Sequence, residues 1–364
     1  MALIRNPLRG RGLPTRDGLA RGDVRSDPEP VRRLLRRCPV AAPTPLRDMP
    51  RLADALGVAE LSLKDESGRM GLGSFKALGA AYAIARMAAE RADSEGRQAP
   101  PESMARALSG EVFACASAGN HGLSVAAGAR VFGARTVIYL SEAIPEAFAE
   151  RLRRAGAQVI RAGGDYAASM AAAARDAESK GWILLSDSSW PGYVERPTRV
   201  MEGYLVAGAE VCEQIERPPT HIMLQAGVGG FAAAMTALFR ARWGSAPSIV
   251  VVEPEAAPAL MQSVRAGRPV KTQGPVSNMG RLDCKEPSHL ALGELAREAD
   301  YFVTITDEAC ADTVAWLAES GIVTTPSAAA GVSALHCVDG QREALSLDER
   351  SRVLAFITEG AERR

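Results

Sequence analysis

The sequence predicts an α/β fold of two domains with parallel sheets, and three observations carry that prediction. A chain of 364 residues is longer than one core of ordinary size supports. From Val112 onward, short apolar runs alternate with stretches of helical period, the pattern of βαβ units. Two of those runs feed directly into glycine-bearing turns, Ala116-Ser117-Ala118-Gly119-Asn120-His121-Gly122 and Gln225-Ala226-Gly227-Val228-Gly229-Gly230-Phe231. In parallel α/β sheets, ligands sit beyond the carboxyl ends of the strands, where such turns lie.

The first forty residues are rich in arginine, as transit peptides are. However, Asp17, Asp23, Asp27 and Glu29 interrupt them, and transit peptides are poor in acids. They read as an arm that packs on the body or on a partner subunit. Pro43-Thr44-Pro45-Leu46 is an extended segment, because each proline restricts the residue before it. A short helix around Leu52 to Leu56 and a strand from Leu61 to Lys64 lead to the loop Gly71-Leu72-Gly73-Ser74. An Ala-rich helix from Ala77 to Met87 follows, then a polar surface loop from Arg91 to Glu102.

The alternating region predicts strands at Val112 to Ala116, Thr136 to Leu140, Gln158 to Ile160 and Trp182 to Leu185. Helices fall between them at Gly122 to Phe132, Glu146 to Ala155 and Tyr166 to Glu178. After Pro191 the alternation restarts with a helix over Thr198 to Ile215. The strand His221 to Gln225, the helix Phe231 to Trp243 and the strand Ser248 to Glu253 follow. A less regular region, which includes residues 277–284, precedes the strand Tyr301 to Thr306. Helices Asp307 to Ser320 and Ala328 to Val338 and the strand Val353 to Thr358 complete the chain. The expected partition is an arm (1–40), a large domain (41–75 with 187–364) and a smaller domain (76–186).

Composition removes several functions. Lys+Arg and Asp+Glu both number 43, so no net field recruits nucleic acid or an anionic membrane. Aromatics make up 5%, too few for base-stacking platforms. No apolar run approaches membrane-spanning length. The cysteines (Cys38, Cys115, Cys212, Cys284, Cys310 and Cys337) form no Cys-x-x-Cys pair. That argues against a zinc site or a disulfide framework and makes a reducing cytoplasm the expected compartment.

The candidate chemistry centres on Lys76. It stands at the seam between a glycine-flexed loop and a helix of small residues, with Ser74 and Phe75 before it. A lysine there is either a solvated surface residue or an amine in a cleft, where desolvation would lower its pKa and make it a nucleophile. The loop Gly227-Val228-Gly229-Gly230 presents backbone amides at a helix start, which hold a phosphate without a cationic side chain. It also reads as a dinucleotide loop or a tight turn, but Ala232 stands where Gly-x-Gly-x-x-Gly needs a glycine, and no Gly-Lys-Ser/Thr follows. Ser117 and Asn120 are N-cap types that would rim an anion site, and His121 is either a base or a helix-start residue. Thr324-Thr325-Pro326-Ser327 opens a closely packed helix and in isolation reads as an N-cap.

Taken together, these motifs resemble the fold-type II pyridoxal-phosphate enzymes (the tryptophan synthase β-like fold) over nearly the whole chain. Ser74-Phe75-Lys76 is similar to the family's cofactor-bearing lysine motif. Ser117-Ala118-Gly119-Asn120-His121-Gly122 is similar to its asparagine loop, and Ala226-Gly227-Val228-Gly229-Gly230 to its phosphate cup. Within that family the diaminopropionate ammonia-lyases are resembled most. The segments that carry this are Asn6-Pro7, 64–69, 187–193, 201–204 and above all Met279-Gly280-Arg281-Leu282-Asp283-Cys284-Lys285-Glu286-Pro287-Ser288. Two positions depart: Ala118 stands where the family carries an aspartate, and Thr324-Thr325-Pro326 where it tends to have Glu-Ser-Gly. Both bear on the substrate rather than on the cofactor.

The resemblance implies pyridoxal 5'-phosphate attached through Lys76 and bound at the phosphate by the amides of Gly227, Val228, Gly229 and Gly230. Asn120 would reach the ring hydroxyl oxygen, and Ser327 (or Thr325) the pyridine nitrogen. Ser74, Ser117, Ala118, Gly119 and His121 would line the substrate site. Asp187 would serve the leaving group, or else cap a turn. The implied reaction is β-elimination from an amino acid, giving a 2-keto acid and ammonia, with a homodimer as the assembly. A hydroxy-amino-acid dehydratase, a nicotinamide-dependent dehydrogenase and a cofactor-free binding protein are the other readings.

Overall fold

The structure, a computed structural model, describes residues 1–14, 19–20, 22–92 and 101–361. Its strands are β1 (Leu3–Arg5), β2 (Leu46–Asp48), β3 (Glu60–Asp65), β4 (Val112–Ala116), β5 (Arg135–Leu140) and β6 (Gln158–Arg161). They continue with β7 (Ile183–Leu184), β8 (His221–Gln225), β9 (Ser248–Pro254), β10 (Tyr301–Ile305) and β11 (Arg352–Ile357). The seven-stranded sheet has the order β1-β10-β9-β8-β11-β3-β2, and the four-stranded sheet the order β6-β5-β4-β7. Among the described residues every internal pairing is parallel, and only the edge strands β1 and β2 run antiparallel to their neighbours. Runs such as Ile249-Val250-Val251-Val252 are fully buried, as expected of strands covered on both faces. The predicted α/β class with parallel-rich sheets is therefore the observed one.

Three helices pack on one another, Lys76–Ala92 lying against both Asn120–Val131 and Glu195–Gln214. They approach so closely that side chains are excluded at the crossings. A Cβ on Gly79 would lie 2.5 Å from the Tyr204 ring, and one on Gly203 2.5 Å from the Leu78 carbonyl oxygen. The Ala-rich composition of Lys76–Ala92 thus serves packing as well as helix propensity.

Several expectations need correction. The helix after the lysine loop begins at Lys76 itself and runs to Ala92, so the predicted loop loses its first two residues. Its other end is the short helix Pro101–Met104, and 93–100 lie outside the described residues, as does Asp17 of the arm. The region read as irregular contains the helices Ala259–Ala266 and His289–Glu298. The arm packs on the body: β1 pairs with β10, and the Asn6 side-chain amide donates to the carbonyls of Leu295, Ala296 and Ala299 at the end of helix His289–Glu298.

Candidate active site

Because β3 and β11 are parallel neighbours, their carboxyl ends open side by side. β3 continues into a 3-10 turn, Glu66–Gly71, and then through Gly71 (φ 71°) and Gly73 (φ 83°), left-handed angles that glycine adopts without steric cost. The Phe75 amide donates to the Thr358 carbonyl at 3.1 Å, and the Gly360 amide to the Gly73 carbonyl at 3.1 Å. The last strand therefore clamps the loop that presents Lys76.

Lys76 Nζ lies 2.6 Å from Asp187 Oδ2, each side chain 19% exposed. The amine also stands 5.1 Å from the Phe75 ring centroid and 5.9 Å from that of Tyr204. Phe231 packs on Phe75 at 4.4 Å and completes an apolar wall. Burial is the largest single influence and pulls the ammonium down, but the Asp187 carboxylate, joined by Tyr204 and Cys284, holds Lys76 above the ordinary lysine range. Asp187 is held well below the carboxylate range: burial opposes its charge, and Lys76, then His121, overcome that opposition. The expected lowering of the Lys76 pKa is thus reversed, because desolvation was the only contribution visible in the sequence.

The glycine loop lies at the end of β8. Gly229 (φ 97°) forms the N-cap of the helix Gly230–Trp243, whose first amides have no partner within the helix. A Cβ on Gly227 would lie 2.9 Å from Cys284 Sγ and 3.0 Å from the Arg281 carbonyl oxygen, so a side chain there would push the 281–284 segment away. Val228 accepts from the Ser288 amide at 2.9 Å. Ser288 Oγ meets Ser189 Oγ at 2.7 Å and accepts from the Ser189 amide at 3.0 Å. This buried serine pair ties the segment bearing Asp187 to the cup.

The asparagine loop ends β4. Asn120 is the first residue of its helix rather than the cap: Gly119 occupies that position, and Ser117 Oγ accepts from the Gly119 amide at 3.3 Å. The Asn120 side-chain amide donates to Glu359 Oε2. His121 is buried, with Nε2 2.8 Å from the Leu185 carbonyl, so Nε2 carries the proton; Nδ1 is buried without a partner. Ala118 is partly buried against the central core.

At the third motif, Thr325 is the N-cap of the helix Pro326–His336. Ser327, 3% exposed, accepts from the Arg281 amide at 3.0 Å, which leaves its own O–H to donate. Ser74 is buried beside Glu359 through an isolated β-bridge.

The structure brings Lys76, Asp187, the glycine cup, Asn120 and Ser327 to the carboxyl ends of two sheets. It also adds Glu359, which the sequence reading missed, and gives a place to Arg281, Tyr204 and the Ser189–Ser288 pair, which that reading quoted as family segments without a role. Glu359 carried one usable signal: an acid followed by glycine directly after an apolar strand.

The family model described as pyridoxal-phosphate dependent enzyme matches residues 38–359. The diaminopropionate ammonia-lyase of Salmonella typhimurium is 32% identical over 89% of this chain and 87% of its own length. The crystal structure of the Escherichia coli diaminopropionate ammonia lyase in complex with D-serine superposes with a TM-score of 0.89 at 28% identity. The match covers 99% of this chain and 93% of that one. A probable D-serine dehydratase of Paracidovorax citrulli is 28% identical over 68% of this chain and 58% of its own.

Proposed function

The chain belongs to the pyridoxal-phosphate-dependent enzymes and, among them, to the diaminopropionate ammonia-lyase family, and on that footing we propose that it converts 2,3-diaminopropionate and one water to pyruvate and two ammonia, the water entering when the released enamine product hydrolyses. The observation that carries this reading is the Lys76–Asp187 pair at 2.6 Å, set among three glycine- or hydroxyl-bearing helix starts.

The residues present fit pyridoxal phosphate. The cup leaves no free room for a side chain at Gly227, and the free amides of Gly229–Phe231 offer an anion site at the start of a 14-residue helix. Gly227, Val228, Gly229 and Gly230 would hold the phosphate, Lys76 the aldehyde carbon, Asn120 the ring hydroxyl oxygen and Ser327 the pyridine nitrogen. Phe75 would wall one side. When bound, the cofactor supplies an electron sink for charge developing at the substrate's α-carbon.

The chain's own residues do the rest. Ser117 and the amides around Gly119 bind the substrate carboxylate, with Ser74, Ala118 and His121 shaping that side. The Lys76 amine removes the α-proton. Asp187, ionised, accepts from Lys76 Nζ and orients the amine, which carries the proton on their short hydrogen bond and passes it to the departing β-group. Phe75, Tyr204 and Phe231 exclude water around it.

Ala118 favours a second reading, a dehydratase of serine, threonine or aryl-serine. With no carboxylate at position 118, a β-ammonium loses one partner, and a neutral β-hydroxyl loses none. Product stoichiometry separates the two on a panel of β-substituted amino acids in both enantiomers. Two ammonia per keto acid requires a β-amine, and one ammonia per keto acid requires the hydroxyl substrate.

The two sheets are read as the frames of two domains (41–75 with 187–364, and 76–186), beyond an arm of residues 1–40. The assembly is read as a homodimer, which light scattering of the purified protein tests. Among the described residues no helix is long and apolar enough to cross a membrane. The free cysteines fit the cytoplasm as compartment.

A further inference from the structure

Glu359 stands just past β11, an interior strand of the larger sheet, and is 4% exposed. Its side chain gathers groups from three other segments. Oε2 accepts from the Asn120 side-chain amide, whose helix follows the smaller sheet, and lies 3.3 Å from Arg281 Nε. Oε1 accepts from Thr325 Oγ1 at 2.5 Å, and the Glu359 carbonyl accepts from Thr324 Oγ1 at 2.6 Å.

A side-chain amide has two faces, a carbonyl that accepts and an NH2 that donates twice. A carboxylate beside Arg281 can only accept, so it dictates which face Asn120 presents to it. One N–H of Asn120 goes to Glu359, and the other stays on the same side, toward whatever Asn120 holds. We propose that Glu359 is a positioning residue that locks the amide of Asn120, so that a donor and not an acceptor meets the cofactor's ring hydroxyl oxygen. This rests on the functional reading above and extends it to a residue with no direct part in the chemistry. An acceptor placed there would repel the ring oxygen, whereas a donor stabilises its negative charge.

The test is the visible absorbance of the Lys76-bound cofactor, followed against pH in the full-length holoenzyme. A donor on the ring oxygen favours the deprotonated chromophore, so losing it moves the pH midpoint upward. Asn120→Ala, which removes the donor, sets the size of that shift, expected at about one pH unit. Glu359→Gln keeps the shape and removes the constraint, because glutamine can meet either face of Asn120. It should move the midpoint the same way, and the double variant should move it no further than Asn120→Ala alone.

An unchanged midpoint in Glu359→Gln overturns the proposal, and so do additive shifts in the double variant. If Glu359→Gln loses the cofactor while Asn120→Ala keeps it, the role is support of the fold and the proposal fails. The functional reading fails differently: the unmodified protein then shows no visible band, or borohydride fixes the cofactor to a lysine other than Lys76.

Discussion

Two lysines twelve positions apart, Lys64 and Lys76, both meet carboxylates in the interior, and they are built for opposite ends. Lys64 is fully buried, and its three N–H donors are spent on the Thr44 carbonyl at 2.7 Å, Glu210 at 2.7 Å and Gln214 at 2.9 Å. Glu210 is shared with Arg69, which also pairs with Glu66. Desolvation therefore prevails and lowers the Lys64 pKa, with the nearby Arg69 charge adding to it. Lys76 keeps partial exposure and faces Asp187, whose charge it does not divide with another lysine or arginine, so its pKa rises. Burial alone does not mark a reactive lysine. A structural lysine has its donors saturated by partners that serve other cations too, and a reactive one faces a single acid and an open side.

The largest test of that contrast is Lys76→Ala. Keto-acid formation should fall by at least about a thousandfold, since the attachment point and the base vanish together. The thermal midpoint of the cofactor-free protein should fall less than in Glu210→Ala, because only one cation leaves and Asp187 can take up a proton instead. Glu210→Ala should do the reverse. It strips Lys64 and Arg69 of their shared carboxylate inside the core, and urea unfolding should show a loss of about 3–5 kcal/mol. A Glu210→Ala protein with unchanged unfolding would sink the distinction between the two lysines.

The lysine loop and the two glycine turns were legible in the sequence because their signals are local. A glycine at a left-handed angle and a strand running into a helix leave a mark within a few residues, as at Gly73 and Gly229. Glu359 left almost none, since its partner Asn120 lies 239 positions away and only the parallel arrangement of two sheets brings them together. The ion cluster of Lys64, Glu66, Arg69 and Glu210 was hidden for the same reason. The rise in the Lys76 pKa was equally out of reach, because Asp187 is 111 positions distant. Edge strands of three residues, β1 and β2, are too short to show a period. The helices Ala259–Ala266 and His289–Glu298 flank a Pro- and Gly-bearing stretch that masks their own patterns.

A third buried acid sharpens the contrast by having no cation beside it among the described residues. Glu253, at the end of β9, accepts from the amides of Leu260 and Met261 at 2.7 and 2.8 Å and so caps the helix Ala259–Ala266. Burial pushes its pKa up to about 8, against the pull of those two amides. The unfolded chain releases that proton near the free glutamate value of about 4.3. Between those limits the native state holds a proton that the unfolded state has lost, so stability falls as pH rises through the window. Glutamine cannot titrate but keeps only one of the two acceptors, and Glu253→Gln should flatten the fall between pH 5 and 8 while leaving one helix amide unpaired. The lost amide bond lowers its melting midpoint at pH 5, and the deficit should shrink as pH rises to 8, where the unmodified protein has lost the stability that its proton conferred. Glu294, which burial raises to about 7 despite Arg297, leaves a residual slope in both proteins. Equal slopes for the two would mean that the helix amides suffice to keep Glu253 charged, and that a shared or missing cation does not decide how a buried group in this fold titrates.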